Sequence, residues 1–133
     1  MADLNKYIKK SHIKAVLKFA GELELFRIET GNEPEATLYE DAFTSFTLSE
    51  IKVENGQLCY KQDGTHYNEN VVNFDEDEGR YYEDEGIDSI MEYVKFWRKC
   101  LRRAKRYWSM DVDKLDAIQS GEQEDEEEDD QEE

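Results

Sequence analysis

Residues 49–61 read SEIKVENGQLCYK, and this stretch decides the fold. Asn55-Gly56 is the preferred pair for a two-residue type I′ turn, which joins two antiparallel strands. Alternating apolar and polar residues on both sides of the turn predict one buried and one exposed face. The pairs expected to lie opposite each other are Val53–Leu58, Lys52–Cys59, Ile51–Tyr60 and Glu50–Lys61.

Helices are predicted at both ends of the sheet. Apolar residues at helical spacing predict an amphipathic helix over residues 3–20, with Asp3 as its N-cap and Gly21 at its end. Strand composition then favours strands over 22–29 and 37–48, and a strand or two over 65–74. The order of elements predicts an α+β fold with an antiparallel sheet of about four strands and helices on one of its faces.

The C-terminal helix is predicted to begin with a capping box formed by Ser89 and Glu92 and to run to about Trp108. Its expected apolar seam comprises Ile87, Ile90, Val94, Trp97, Leu101, Ala104 and Trp108. A short extra helix is predicted over residues 111–119, with Val112, Leu115 and Ile118 facing inward.

Charge is unevenly distributed along the 133 residues, which hold 34 acidic and 17 basic side chains for a net charge of −17. Residues 122–133 contain ten acids and no base. We therefore expect one domain over residues 1–119 and a disordered acidic tail over 120–133. No apolar run is long enough for a membrane span and no secretory signal is recognisable, which predicts a cytoplasmic protein with reduced cysteines and no membrane partner.

An acidic segment, residues 75–88, carries eight acids and is predicted to be a solvated loop. The first functional hypothesis is a non-enzymatic regulatory protein that binds a basic protein partner through this loop and the tail. A nucleic-acid mimic that blocks a DNA-binding protein is one version of it. The candidate partner-binding residues are Asp75, Glu76, Asp77, Glu78, Glu83, Asp84 and Glu85.

Basic residues concentrate on the two predicted terminal helices, which together hold 12 of the 17. Such a face is typical of a solvated amphipathic helix or of pairing with the protein's own acids. It also supports the alternative function, single-stranded nucleic-acid binding gated by the acidic tail. The residues proposed for this alternative are Lys95, Arg98, Lys99, Arg102, Arg103, Arg106 and Trp108.

Residue types that carry catalysis are sparse. His12 falls on the apolar side of the first helix, where a structural role is expected, and His66 lies in a turn-rich stretch. Cys59 and Cys100 stand alone, with no metal-ligand spacing, and no glycine-rich phosphate motif is present. We expect no enzyme activity, no cofactor and no metal, in a monomer or weak dimer. A calcium loop starting at Asn73 is disfavoured because its sixth position is Glu78 instead of glycine.

Overall fold

The computed structural model describes residues 3–31, 35–84 and 90–121. It confirms the α+β class: a helix precedes an antiparallel four-stranded sheet of order β1-β2-β3-β4, a separate two-stranded hairpin β5-β6 follows, and helices close the fold. The predicted tail beyond residue 121 lies outside the described residues. The elements are a 3₁₀ turn at Leu4–Tyr7, α1 at Lys10–Thr30, β1 at Ala36–Asp41, β2 at Thr44–Glu54, β3 at Gln57–Gln62, β4 at Thr65–Asn70, β5 at Val72–Asp75, β6 at Arg80–Glu83, α2 at Ile90–Trp108 and α3 at Val112–Gln119.

Helix α1 begins later and ends later than predicted. Asp3 caps the separate 3₁₀ turn, α1 itself starts at Lys10, and it includes the segment expected to be a strand. It continues through Gly21 and ends at Gly31, whose φ of 73° is the left-handed conformation common after a helix. The strand prediction for 22–29 is wrong because Leu23 and Phe26 continue the buried face of the helix. Burial of two large side chains outweighs the roughly 1 kcal/mol that an interior helical glycine costs.

The Asn-Gly hairpin forms with the predicted pairing next to its turn. Lys52 pairs with Cys59, and Val53 pairs with Leu58. Farther from the turn a bulge shifts the register, so that Lys61 lies opposite Ser49 and not opposite Glu50. At the bulge two residues of β2, Glu50 and Ile51, take the place opposite one residue of β3, Tyr60, and Glu50 has a positive φ of 54°.

The core lies between the four-stranded sheet and the two long helices. Phe19 of α1 stacks on Trp97 of α2 at 5.9 Å between ring centroids, and Trp97 meets Tyr60 of β3 edge to face at 5.0 Å. Because Trp97 contacts α1 and the sheet together, both helices lie on one face of the sheet. This is the predicted layering.

The seam of α2 is confirmed over most of its length but not at its end. Trp108 is 54% exposed, whereas Tyr107 is buried and packs edge to face on Tyr39. Ile87 of the predicted seam and Ser89 of the predicted capping box lie outside the described residues. The buried seam consists of Ile90, Val94, Trp97, Leu101 and Ala104.

The short helix α3 forms as predicted, and its N-cap is Asp111, whose carboxylate accepts a hydrogen bond from the amide of Asp113. Ile118 is buried as expected. Val112, however, is 69% exposed, so its predicted inward orientation is wrong.

Candidate interaction surfaces

The first half of the acidic segment is an ordered hairpin. Strands β5 and β6 pair from Val72–Glu83 to Asp75–Arg80, so the prediction of a solvated loop is wrong for residues 80–83. Val72 and Phe74 on β5 and the adjacent Tyr81 and Tyr82 on β6 supply the local strand preference that the run of acids obscures.

The turn of this hairpin is fixed by Asp75. Its carboxylate accepts hydrogen bonds from the amides of Asp77 at 3.0 Å and Glu78 at 3.2 Å, an arrangement in which an aspartate mimics a backbone turn. Glu76, Asp77 and Glu78 are all exposed, and Arg80 contacts Glu78 at 2.8 Å. Three acidic side chains are thus presented to solvent on a turn of defined shape.

Exposed aromatic rings accompany these acids. Phe74 and Tyr81 lie opposite each other on the two strands with ring centroids 5.0 Å apart, and Tyr81 also approaches Tyr7 at 5.3 Å. Tyr82, paired with Asn73, is 42% exposed. Aromatic faces attract cations, so the hairpin presents two features that suit Lys and Arg side chains.

Glu83 belongs to the interior, which corrects its assignment to an exposed binding loop. It is only 9% exposed, and its carboxylate accepts the backbone N–H of Lys9 at 2.8 Å and forms an ion pair with His12. Since Lys9 caps α1 without a side-chain hydrogen bond, Glu83 supplies an acceptor and a negative charge at the start of that helix.

Asp84, the next member of the predicted acidic set, follows the last residue of β6. Asp84 is half-buried and its amide donates to the carbonyl of Val71 at 2.8 Å. Glu85 lies outside the described residues. The acidic surface that remains comprises Asp75, which is half-buried and shapes the turn, and the exposed Glu76, Asp77 and Glu78. We call residues 74–82 the acidic hairpin.

The outer side of α2 carries a basic stripe. It consists of four residues at steps of four, three and four, Lys95, Lys99, Arg102 and Arg106. This spacing places them along one line about 16 Å long. Phe96 is 44% exposed and stacks on Phe46, and Trp108 is exposed at the end of the helix.

Arg103 is buried and does not belong to this stripe, which corrects its assignment to a nucleic-acid surface. It is 7% exposed, and its guanidinium donates hydrogen bonds to the carbonyls of Tyr39 at 3.2 Å and of Glu40. These carbonyls belong to the sheet's edge strand β1, beside an irregularity in its pairing with β2. Helical spacing could have indicated that this position is buried, because Arg103 shares one side of α2 with Cys100 and Tyr107, which are both buried.

Arg98 lies beside the basic stripe and meets an acid of α1. Its guanidinium is 3.8 Å from the carboxylate of Glu22. At this contact an acidic residue of α1 faces α2, so the lysines of α1 and the basic stripe do not merge there.

The two histidines lie in different surroundings. His12 is bound to Glu83, and His66 is exposed on β4. Cys59 and Cys100 are buried and form no disulfide. Burial, reinforced by the charge of Glu54, raises the pKa of the Cys59 thiol, which keeps it in the less nucleophilic protonated form.

The segment from Asn73, which the sequence disfavours as a calcium loop, forms a β-hairpin, in which the carboxylate of Asp75 accepts hydrogen bonds from turn amides. Within residues 3–31, 35–84 and 90–121, no group of three or more His, Cys, Asp or Glu side chains is placed to hold a metal ion. In the same part of the chain, no helix combines the length and the apolar character needed to cross a membrane.

A half-open cavity of about 320 Å³ lies between α1 and the bulge of β2, and the sequence gives no signal for it. The buried hydroxyl of Ser49 lines it and has no hydrogen-bond partner in the described residues. Its charged lining residues have ionic partners: Glu24 with Arg27, and Glu50 with Lys61 at 3.9 Å. The cavity lining contains no histidine or cysteine that could act as base or nucleophile.

Comparisons with protein families, with curated proteins and with solved structures find no match to this chain.

Proposed function

We propose that this chain is a non-enzymatic binding protein whose acidic hairpin docks a protein partner with a basic surface. The observation that carries the proposal is the turn held by Asp75, which presents Glu76, Asp77 and Glu78 beside exposed aromatic rings. A surface already held in one shape loses little conformational entropy on binding. Its charge accelerates encounter with a partner of opposite sign.

Two buried cysteines that form no disulfide support a reducing compartment, and we propose the cytoplasm as the site of action. A nucleic-acid mimic is a narrower version of the same proposal. It would be identified by an oligonucleotide that competes with the protein for its captured partner.

The test is a comparison of two triple variants that change the net charge equally. E76Q/D77N/E78Q neutralises the turn, and E92Q/D113N/D116N neutralises three exposed acids on α2 and α3. Each variant is immobilised and used to capture proteins from a host lysate. We expect the intact chain and the α2/α3 variant to retain the same basic protein and the turn variant to lose it.

An additional variant tests the aromatic half of the surface. Tyr81→Ser removes a ring that is 39% exposed without changing charge, and we expect capture to weaken about five- to tenfold. Capture that is equally reduced by both triple variants would reflect net charge alone and would refute the proposal.

A second candidate function, single-stranded nucleic-acid binding, is favoured by one observation, the alignment of four basic side chains along the basic stripe. A row of basic side chains that can follow a phosphate backbone is one common element of single-strand binding surfaces, and the exposed ring of Phe96 lies next to this row in the sequence. The net charge of −17 opposes it.

This second candidate predicts that K99A/R102A weakens binding of a single-stranded oligonucleotide and reduces the slope of log affinity against log salt by about one per lost phosphate contact. The control K52A/K61A removes two lysines of the sheet and should change neither quantity. Neutralising the acids of residues 122–133 in the full chain should strengthen binding if the tail competes for the stripe.

A further inference from the structure

Helix α1 carries an apolar stripe that points away from the core. Leu17 is 62% exposed, Leu25 is 69% exposed and Ile28 is 60% exposed. With Gly21 they follow steps of four, four and three residues, so the four positions share one side of the helix. No other described segment covers the stripe. The buried residues of α1 lie on the opposite side of the helix: Val16, Phe19, Leu23 and Phe26.

Charges beside this stripe are divided between the two halves of α1. Lys10, Lys14 and Lys18 are exposed on the N-terminal half, and residues 4–20 contain no acid. The C-terminal half carries Glu24 and Glu29, both exposed, together with Glu22 and one base, Arg27. This order opposes the helix dipole, which favours acids at the N-terminus and bases at the C-terminus. The charges therefore do not serve the stability of the isolated helix.

We propose that the chain forms a two-fold antiparallel dimer in which α1 packs against α1 of a second copy. With the axis at Gly21, Leu17 lies opposite Leu25 of the second copy, and Lys18 lies opposite Glu24. The basic half of each helix thus faces the acidic half of the other. A parallel pairing would instead bring like charges together.

Gly21 suits the point of closest approach between the two helices. It is exposed, and a Cβ atom built on it meets nothing within 4 Å inside its own chain. The absence of a side chain at this position lets the two backbones come close, which brings the leucines on both sides into contact. A two-fold interface repeats each of these contacts twice.

This interface is small, so the dimer is weak and forms in a concentration-dependent equilibrium. Each copy also carries a net charge of −17, which repels the other over long distances. At physiological ionic strength the screening length is about 8 Å, so the long-range repulsion is reduced while charge pairs in contact persist. The inference is independent of the proposed function, because neither the acidic hairpin nor the basic stripe takes part.

The experiment is sedimentation equilibrium of the full chain at about 0.15 M salt, over concentrations from about 1 µM to 1 mM, where weak complexes assemble. We expect the average mass to rise from 15.8 kDa toward twice that value. K14E/K18E and E24K/E29K should each lower the association constant at least tenfold, because each places like charges opposite each other on both sides of Gly21.

Two recovery measurements separate this pairing from a general charge effect. An equimolar mixture of K14E/K18E and E24K/E29K should associate again, since the faces are now opposite in sign. The fourfold exchange K14E/K18E/E24K/E29K restores self-complementarity and should associate alone. Far-ultraviolet circular dichroism of each variant verifies that the helices are retained.

A matched pair tests the apolar stripe itself. Leu25→Ser and Val112→Ser each remove an apolar side chain that is 69% exposed, and only the first lies on the stripe. We expect only Leu25→Ser to weaken association. Three outcomes would each overturn the proposal: a mass of 15.8 kDa at every concentration, equal effects of the matched pair, or association of K14E/K18E alone or E24K/E29K alone, in folded form, as strong as that of the intact chain.

Discussion

The acidic segment, residues 75–88, and the basic helix α2 carry charges of opposite sign, yet in the described part of each run one charged side chain is buried. Glu83 bonds to the start of α1, and Arg103 bonds to two carbonyls of β1. Neighbours in the same runs, such as Glu78 and Arg102, are exposed. A buried charge is retained where backbone groups need a partner, so the position of the run does not tell which member is structural.

The largest effect is expected at Arg103. Arg103→Met keeps the length of the side chain but leaves the carbonyls of Tyr39 and Glu40 without their donor. We expect the free energy of unfolding to fall by about 2–4 kcal/mol in urea denaturation. The neighbouring control Arg102→Met should change it by less than about 0.5 kcal/mol. Equal losses in the two variants would show that Arg103 is an ordinary surface residue.

Sequence reasoning locates the basic run and its sign but assigns Arg103 to the wrong surface. A helical projection places Arg102 and Arg103 one step apart, and both belong to a dense basic run. The difference arises from tertiary structure, because edge strand β1 passes beside one of them and leaves two carbonyls there. Neither the strand position nor its irregular pairing can be derived from local pattern.

The next largest effect is expected at Glu83. Glu83→Ala removes the acceptor for the Lys9 amide and the partner of His12, and should lower the free energy of unfolding by about 1–3 kcal/mol. Glu83→Gln keeps an oxygen that can accept from Lys9 and should lose less. Glu78→Gln is the exposed control. Hydrogen exchange of the first amides of α1 should quicken only in the Glu83 variants, and unchanged protection there would contradict this role.

The fold could be predicted where local and long-range preferences agree, as at the Asn-Gly turn. It could not be predicted at residues 22–29, where the sequence ELELFRIE satisfies both strand composition and helical spacing. The helix forms because it buries Leu23 and Phe26 against the sheet, a gain that exists only in the assembled protein. The ordered half of the acidic segment was missed for a related reason, since its charges hide the Phe and Tyr residues that build a hairpin.

A smaller effect, of opposite sign, is expected at the exposed acids. E76Q/D77N/E78Q removes three negative charges from a protein whose net charge is −17. Less self-repulsion should raise the thermal midpoint by a few degrees at low salt, and the gain should shrink when salt screens the charges. The Asp75 cap is left intact, so the turn should persist. A clear loss of stability at low salt would mean that these acids are structural, as Glu83 is.

Asp41 is intermediate between the buried charges and the exposed acids, because it is exposed but accepts a backbone hydrogen bond. Its replacement should have the smallest effect. Its carboxylate accepts the amide of Phe43 at 2.8 Å, and this hydrogen bond lowers the pKa of Asp41. A lowered pKa means that the charged form stabilises the fold above the unfolded value of about 4, and that this contribution is lost as the pH falls through the folded pKa. Asp41→Asn keeps an acceptor for Phe43 but no charge. Asp41→Asn should therefore be slightly less stable than the intact protein at pH 7. The difference between the urea midpoints of the two proteins should disappear on acidification. A difference that stays constant with pH would assign the effect to side-chain shape and not to charge.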